Sequence, residues 1–480
     1  MKRIINKINS MSAGLKSGIV YTFSTLLTRG LAIITVPIFT RMMSSAEIGE
    51  VTLYNSWYSM LSVFATLSLT SGGYQLALKE FSDRRDQYNS SVLSITSVMA
   101  LALFGIFSIA PDFWAQMLGM DKNLILLMLF GFLVAPARDF WMTRQRFEYR
   151  YKLSGSIAVL SAIFASALSI FAVLFMRERD VEKLGEVRLF ANYAVVYSVA
   201  ACLWLYIMLK GRTFFNKEFW SFSLKLSVPL IGHAIAKQIL DVSDRQMINY
   251  YIGKDAVGIY GTLFSVSSLS LLAWGAINSS FIPYLYKNLE VKEERKKLQS
   301  TASLLLGLYT VIAVIMTMFA PEIVRILATS EYYEAIYIMP PIAAGVFFTA
   351  VSNMYSNVLV YYKKTQYIFA SSAIAALCNV ILNAVFIPMY GYQAAAYTTL
   401  ASHILLAAVE AVLVTKVYHR VTKEKNMVYS NKAIVLMSLA CVALCMSGLV
   451  LYSNVIVRYA LIALLVVVAC YLALKKSKRE

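Results

Sequence analysis

Charge is scarce in this chain: only 15% of its 480 residues are Asp, Glu, Lys or Arg, against about 25% in a soluble domain. With 59% hydrophobic residues and a mean hydropathy of +0.64, the composition is that of an all-α membrane protein and excludes an ordinary soluble fold. Histidine is rarer still, with three residues, and there are five cysteines. Cys202, Cys378 and Cys470 lie in apolar runs, and Cys441 and Cys445 fall four apart on one expected helix. None has the spacing of a zinc site, so they read as small core residues. The sequence has no P-loop, no outer-loop Asp-Asp or His cluster and no catalytic grouping, so it reads as a non-enzyme without a metal or organic cofactor. The opening MKRIINKINSMSAGLK lacks the apolar centre of a cleavable leader. The formal charge of +18 is spread in short clusters between apolar spans and forms no continuous patch, which argues against nucleic acid.

What is abundant is long apolar runs. A stretch of about 20 such residues crosses a bilayer, and fourteen candidates occur, near 17–40, 52–78, 89–110, 122–143, 153–176, 189–209 and 222–250, then near 256–286, 300–320, 335–362, 366–388, 392–417, 431–452 and 456–474. Lys and Arg concentrate on the cytoplasmic side of membrane proteins. With the N-terminus inside, inner segments hold 31 of the 44 basic residues and outer loops 9, while Arg29, Lys225, Lys237 and Arg245 fall within spans. Both termini are therefore expected in the cytoplasm. The loop RERDVEKLGEVR, 177–188, breaks the pattern with four bases on the outer side. Tyr250-Tyr251, Tyr332-Tyr333 and Tyr361-Tyr362 fall at span ends, where interfacial aromatic belts form.

Loops are short, leaving no room for a soluble domain, but the chain repeats itself at an offset of 209 residues. SSAEIGEVTLYNSW at 44–57 is similar to GKDAVGIYGTLFSV at 253–266, with Gly49 on Gly258. Arg29 falls on Gln238, beside Lys237, and the Gly72-Gly73 break falls close to Pro283. The expected organisation is an N-terminal lobe over 1–213, a C-terminal lobe over 214–420, and two extra helices with a basic tail over 421–480. Breaks in corresponding spans beside charged mid-depth positions suit alternating access between repeats.

The most charged apolar stretch is 227–260. His233, Lys237 and Asp241 recur at i, i+4 and i+8, and Asp244 and Arg245 continue the stripe. A charge at mid-bilayer costs roughly 2.5 to 3.5 kcal/mol on insertion scales, so several together need partners, water or a ligand. Asp241 and Arg245 could neutralise each other at i, i+4. Arg29 lies about 20 Å from either flank of its span at 1.5 Å per residue. One mid-depth cation in each half suits an anion such as a lipid phosphate or diphosphate; the alternative for Arg29 is an acid on another helix, Asp241 or Asp244 among them. His233 could carry a coupling proton, whereas His403 and His419 carry no signal. Arg138, after Pro136, and Lys79 read as contacts for anionic headgroups or as an entry for substrate from the inner leaflet.

These residues also carry a resemblance. DVSDRQMINYYIGKDAVGIYGTLFSVSSL (241–269) resembles the seventh-helix signature of the polysaccharide transporters, the flippases of O-antigen and capsular lipid-linked oligosaccharides, in the multidrug/oligosaccharidyl-lipid/polysaccharide superfamily. LLTRGLAIITVPIFTRMMSSAEIGEV (26–51), SLTSGGYQLALKEFS (68–82) and PMYGYQAAAYTTLASHI (388–404) are similar to other parts of it. The resemblance implies two pseudo-symmetric six-helix lobes around a central cavity plus two C-terminal helices. It also implies translocation of an undecaprenyl-diphosphate-linked oligosaccharide from the inner to the outer leaflet of the bacterial inner membrane, with H+ or Na+ coupling suspected. Arg29 would sit in the cavity, and Asp244 and Arg245 in the seventh-helix signature. The implied partners are the lipid-linked substrate, membrane lipids and a polysaccharide polymerase or ligase, with the chain itself a monomer. A multidrug exporter of the same superfamily is the alternative cargo. A membrane polymerase or glycosyltransferase is the alternative class, though it would carry a sizeable outer catalytic loop.

Overall fold

The computed structural model describes residues 13–70, 73–423 and 427–477. Gly72 of the expected break, the residues before Ala13 and the last three of the basic tail fall outside these, as does the side chain of Cys470. Among the described residues there are helices and no strands.

The chain forms two compact units, Met1–Ile235 and Ala236–Glu480. The first holds α1 (Ala13–Met42), α2 (Ser45–Thr66), α3 (Gly73–Glu80), α4 (Arg85–Ile109), α5 (Pro111–Leu118), α6 (Lys122–Phe147), α7 (Tyr151–Arg177) and α8 (Leu184–Gly211). The division falls inside α9 (Lys217–Tyr251), beyond its internal Pro229. The second unit continues with α10 (Lys254–Ser267), α11 (Ser270–Asn288), α12 (Arg295–Met318), α13 (Ala320–Leu327), α14 (Met339–Tyr361), α15 (Thr365–Tyr390) and α16 (Gln393–Thr422). Last come α17 (Asn431–Met446), the short α18 (Gly448–Leu451) and α19 (Val455–Ser477), with α17 and α19 packed on α12.

The 209-residue offset read from the sequence reappears in the helices. Shifted by 209, α2 begins on the first residue of α10, α4 ends on the last of α12, α5 coincides with α13, and α8 begins on the first of α16. Each unit is thus a copy of one helical plan. Starts are set locally: Ser44 caps α2 by accepting from the Glu47 N–H while Glu47 returns to the Ser44 backbone, a reciprocal capping box. At the equivalent place α10 starts from Gly253 at φ 127°, a conformation that glycine alone adopts without strain.

Every apolar stretch read from the sequence coincides with a helix or a helix pair, but fewer than fourteen qualify as spans on length and composition. Among the described residues ten helices are long and apolar enough to cross a membrane, and α10 with α11, bent by 40°, makes an eleventh. The other three fall short for visible reasons. α2 stops at Thr66, where Leu67 and Ser68 turn left-handed at φ 47° and 53°. α9 carries the charged stripe, and in the last helix, Val455–Ser477, the described side chains end at Val468, which leaves Val455–Val468 as a shorter apolar segment. The expected match of the Gly72-Gly73 break with Pro283 does not hold: the second unit breaks at Ser268-Leu269, and Pro283 lies within α11. Tyr250 and Tyr361 do end their helices, whereas Tyr332 is fully buried and packs as core.

Packing follows burial. In the first unit Tyr74, Phe81, Tyr88, Phe140 and Phe219 form an aromatic core, with Phe219 edge-on to Phe81 at 4.8 Å. In the second, α14 is 83% buried over its most apolar window, so it is the central helix. The loop 177–188 that broke the charge pattern is neutralised in place. Lys183 pairs with Asp121 and, at 3.0 Å, with Glu186, while Arg179 lies over Phe175 at 4.0 Å and Arg188 over Phe39 at 3.7 Å.

Candidate functional site

Helix α6 places Arg138, Met142 and Arg146 at i, i+4 and i+8, one slowly turning stripe. Opposite it α1 sets Tyr21, Thr25 and Thr28, α7 sets Ser154 and Ser161, and α8 sets Asn192. These side chains line a cavity of about 360 Å³ within the first unit. Close approach of α7 to α1 depends on Gly155, where a Cβ would stand 3.0 Å from Val20 Cγ1 and 3.1 Å from Ser24 Oγ.

The cavity is built for an anion with hydroxyls. The Arg146 guanidinium lies over the Tyr21 ring at 5.0 Å, and the Tyr21 hydroxyl meets Ser154 Oγ at 2.6 Å. Among the described residues neither Arg138 nor Arg146 lies within ion-pair distance of an acid. Arg144, on another face of the same helix, shows the contrast: it is consumed by Asp86 at 2.5 Å and Glu148 at 2.8 Å. Two guanidiniums outside ion-pair distance of an acid, with Asp139 of the same helix the carboxylate that feels both, offer planar forks to phosphate oxygens. Thr25, Thr28 and Ser161 already donate to carbonyls of their own helices at 2.8, 3.1 and 3.1 Å. Their remaining lone pairs accept, which suits the O–H donors of a sugar.

The charged stripe of α9 resolves into two pairs in the second unit. Lys237 is exposed and donates to Asp241 at 2.7 Å. Arg245 is buried and donates to the Asp241 carbonyl at 2.6 Å and the Asp244 carboxylate at 2.9 Å. From α10, the Tyr260 hydroxyl donates to the other Asp244 oxygen at 2.6 Å, and Phe264 lies under the guanidinium at 4.2 Å. Arg245 therefore takes Asp244 and not the Asp241 carboxylate that its i, i+4 spacing offers.

Arg29 and Lys79 are exposed, and neither lines the cavity of the first unit. His233 is half-buried on α9. Of the residues singled out from sequence, Arg138 alone faces that cavity. Arg146 and the α1 hydroxyls were not separated from the basic cluster and the apolar run that contain them. The readable signal was the eight-residue repeat of arginine on α6 facing Tyr21, Thr25 and Thr28 at helical spacing.

Comparison with known proteins follows this geometry. Among solved structures, the lipid II flippase MurJ in an inward closed conformation matches with a TM-score of 0.69 and 16% identity, covering 95% of this chain and 99% of that one. An inward-facing multidrug resistance MATE family transporter of the MOP superfamily matches with a TM-score of 0.59 and 14% identity, covering 85% and 100%. A Vibrio cholerae MATE transporter, a VcmN mutant, matches at 0.55 and 12%, covering 87% and 98%. These likenesses establish the fold. A comparison with curated protein sequences returns no match. The MatE family model matches residues 229–385. The model described as polysaccharide biosynthesis protein matches residues 15–289, more than half of the chain. On that match the chain, a multi-pass helical protein, belongs to the polysaccharide biosynthesis protein family.

Proposed function

We propose that the protein is a flippase that moves an undecaprenyl-diphosphate-linked oligosaccharide from the inner to the outer leaflet of the bacterial inner membrane by alternating access, with both termini in the cytoplasm. The observation that carries this reading is the cavity lined by hydroxyls together with Arg138 and Arg146, neither of which lies within ion-pair distance of an acid among the described residues. Those two arginines receive the diphosphate, and the α1 and α7 hydroxyls meet the first sugar. Arg29 and Lys237, both exposed, serve as further cations along the headgroup's route, and Lys79 as an entry contact. Asp244 and Arg245 hold the start of α10 in register with α9. Asp241 and His233 are the groups of α9 for ion coupling, and a polymerase or ligase takes the product at the outer face.

The test is complementation of a strain lacking the protein with Arg138→Ala, Arg146→Ala and the double variant. A charge-assisted hydrogen bond contributes about 1.5 to 3 kcal/mol, so each single variant lowers surface polysaccharide about tenfold. The lipid-linked unit then accumulates in the inner leaflet while membrane insertion stays intact. Normal polysaccharide in the double variant overturns the reading. The MatE match over 229–385 favours a second reading, export of drugs, and drug-resistance profiling of an expression strain separates the two.

A further inference from the structure

Helix α16 carries one acid at depth. Glu410 lies about 25 Å along the helix from Gln393 and about 18 Å from Thr422 at 1.5 Å per residue, and it is 1% exposed. Three hydroxyls converge on it. Ser352 on α14 donates to one carboxylate oxygen at 2.6 Å, and Ser356, one turn along α14, donates to the other at 2.8 Å. Ser371 on α15 stands 3.3 Å from that second oxygen, its one proton shared between it and the Ile368 carbonyl at 2.9 Å. Among the described residues no Lys, Arg or His lies within ion-pair distance. The charged group acting from a neighbouring element is Lys237 on α9, which is itself held by Asp241. On Glu410's own helix His403, about two turns back, meets the Thr349 hydroxyl at 3.2 Å.

Burying an ionised carboxylate without a cation is expensive, and three hydroxyl donors offset part of that expense. A serine hydroxyl is donor and acceptor at once. When the carboxylate takes up a proton, one serine turns to accept it, and the network stays closed in both states. The buried Asp244 and the partly buried Glu322 each meet a guanidinium, Arg245 and Arg458 respectively, where Glu410 meets hydroxyls. At 2.6 and 2.8 Å these oxygen pairs stand at ordinary O–H···O hydrogen-bond separations.

We propose that Glu410, Ser352, Ser356 and Ser371 form a proton-binding site of the second unit. A proton from water adds to a Glu410 oxygen, converting carboxylate to carboxylic acid, and returns to water when the site empties. Use of this site to drive transport rests on the flippase reading; its existence does not.

The purified full chain is titrated by infrared difference spectroscopy, following the C=O stretch of the protonated carboxyl. The wild type shows a titrating band that E410Q lacks. Ser352→Ala, which keeps the carboxyl, moves the midpoint by about one pH unit, the worth of one charge-assisted hydrogen bond. An identical titration in E410Q, or an unmoved midpoint in S352A, overturns the site. Displacement of the band when choline chloride is replaced by sodium chloride at fixed pH assigns the pocket to Na+ and also overturns it. In cells E410Q blocks surface polysaccharide as the double arginine variant does. Full polysaccharide in E410Q, with the arginine variants blocked, overturns the coupling role. Full polysaccharide in all of them fells the flippase reading and leaves the infrared result standing.

Discussion

Asp244, at 2% exposure, accepts from Arg245 on one oxygen and from Tyr260 on the other. Replacing it by Ala strands a buried guanidinium, so D244A lowers stability by about 3 kcal/mol. Tyr260→Phe removes one hydrogen bond and lowers it by about 1 kcal/mol; Lys237→Ala, opening a half-exposed pair, changes it by about 0.5 kcal/mol. Thermal unfolding of the purified protein checks this order, and equal losses in D244A and K237A contradict it. Asp121 beside it raises the pKa of the exposed Lys183 ammonium above its usual value. A raised folded pKa contributes stability that is fully present below the unfolded value of about 10.4 and is lost as pH rises through the folded one. Asp121→Asn accordingly lowers Tm by a constant amount near neutrality, and the gap to the wild type closes on the alkaline limb. The charged stripe of α9 was legible because apolar runs tolerate few charges. Its pairing was not, because Asp241 has a base four residues away on either side and the choice is made by Tyr260 and Phe264 of the next helix. Glu410 was overlooked among apolar neighbours, although a lone acid in a membrane span is itself the signal.

Helix contacts decide where a methyl group fits. At Gly211, the last residue of α8, a Cβ would stand 2.1 Å from the Asp86 carbonyl and 2.2 Å from Ser90 Oγ at the start of α4. Gly211→Ala forces the two helix ends apart and destabilises by about 1 to 3 kcal/mol. Gly105, with nothing within 4 Å, is the control: Gly105→Ala is neutral or stabilises by up to about 1 kcal/mol. Similar Tm values for the two variants contradict this packing. One helix start carried a signal in the sequence itself: Ser44 with Glu47 is a capping box ahead of α2. The breaks carried none: Leu67 and Ser68 turn left-handed without glycine, and α10 ends at Ser267 with no proline near, so both are imposed by packing. Pro283, the obvious breaker, is absorbed within a helix.

At the scale of the molecule the repeat was readable from two short segments, since a 209-residue shift that aligns Gly49 with Gly258 also aligns whole helices. The number of spans was less so, because α2 and α9 give up apolarity for a break and for charge. Orientation is tested in a cysteine-free background. Glu182→Cys is labelled by an impermeant maleimide added to whole spheroplasts, and Val291→Cys only after lysis; the reverse result inverts the topology. The two copies are also fastened differently at equivalent helix starts. Glu47 does more than close its own cap: its second oxygen accepts the backbone N–H of Leu184 at 2.8 Å, joining the start of α2 to the start of α8. Gly253 begins α10 with no side-chain cap. Ageing of the fold should therefore be lopsided. In deuterated buffer the amides after Gly253 surrender their hydrogens before those after Ser44, and Glu47→Gln brings the two clocks together.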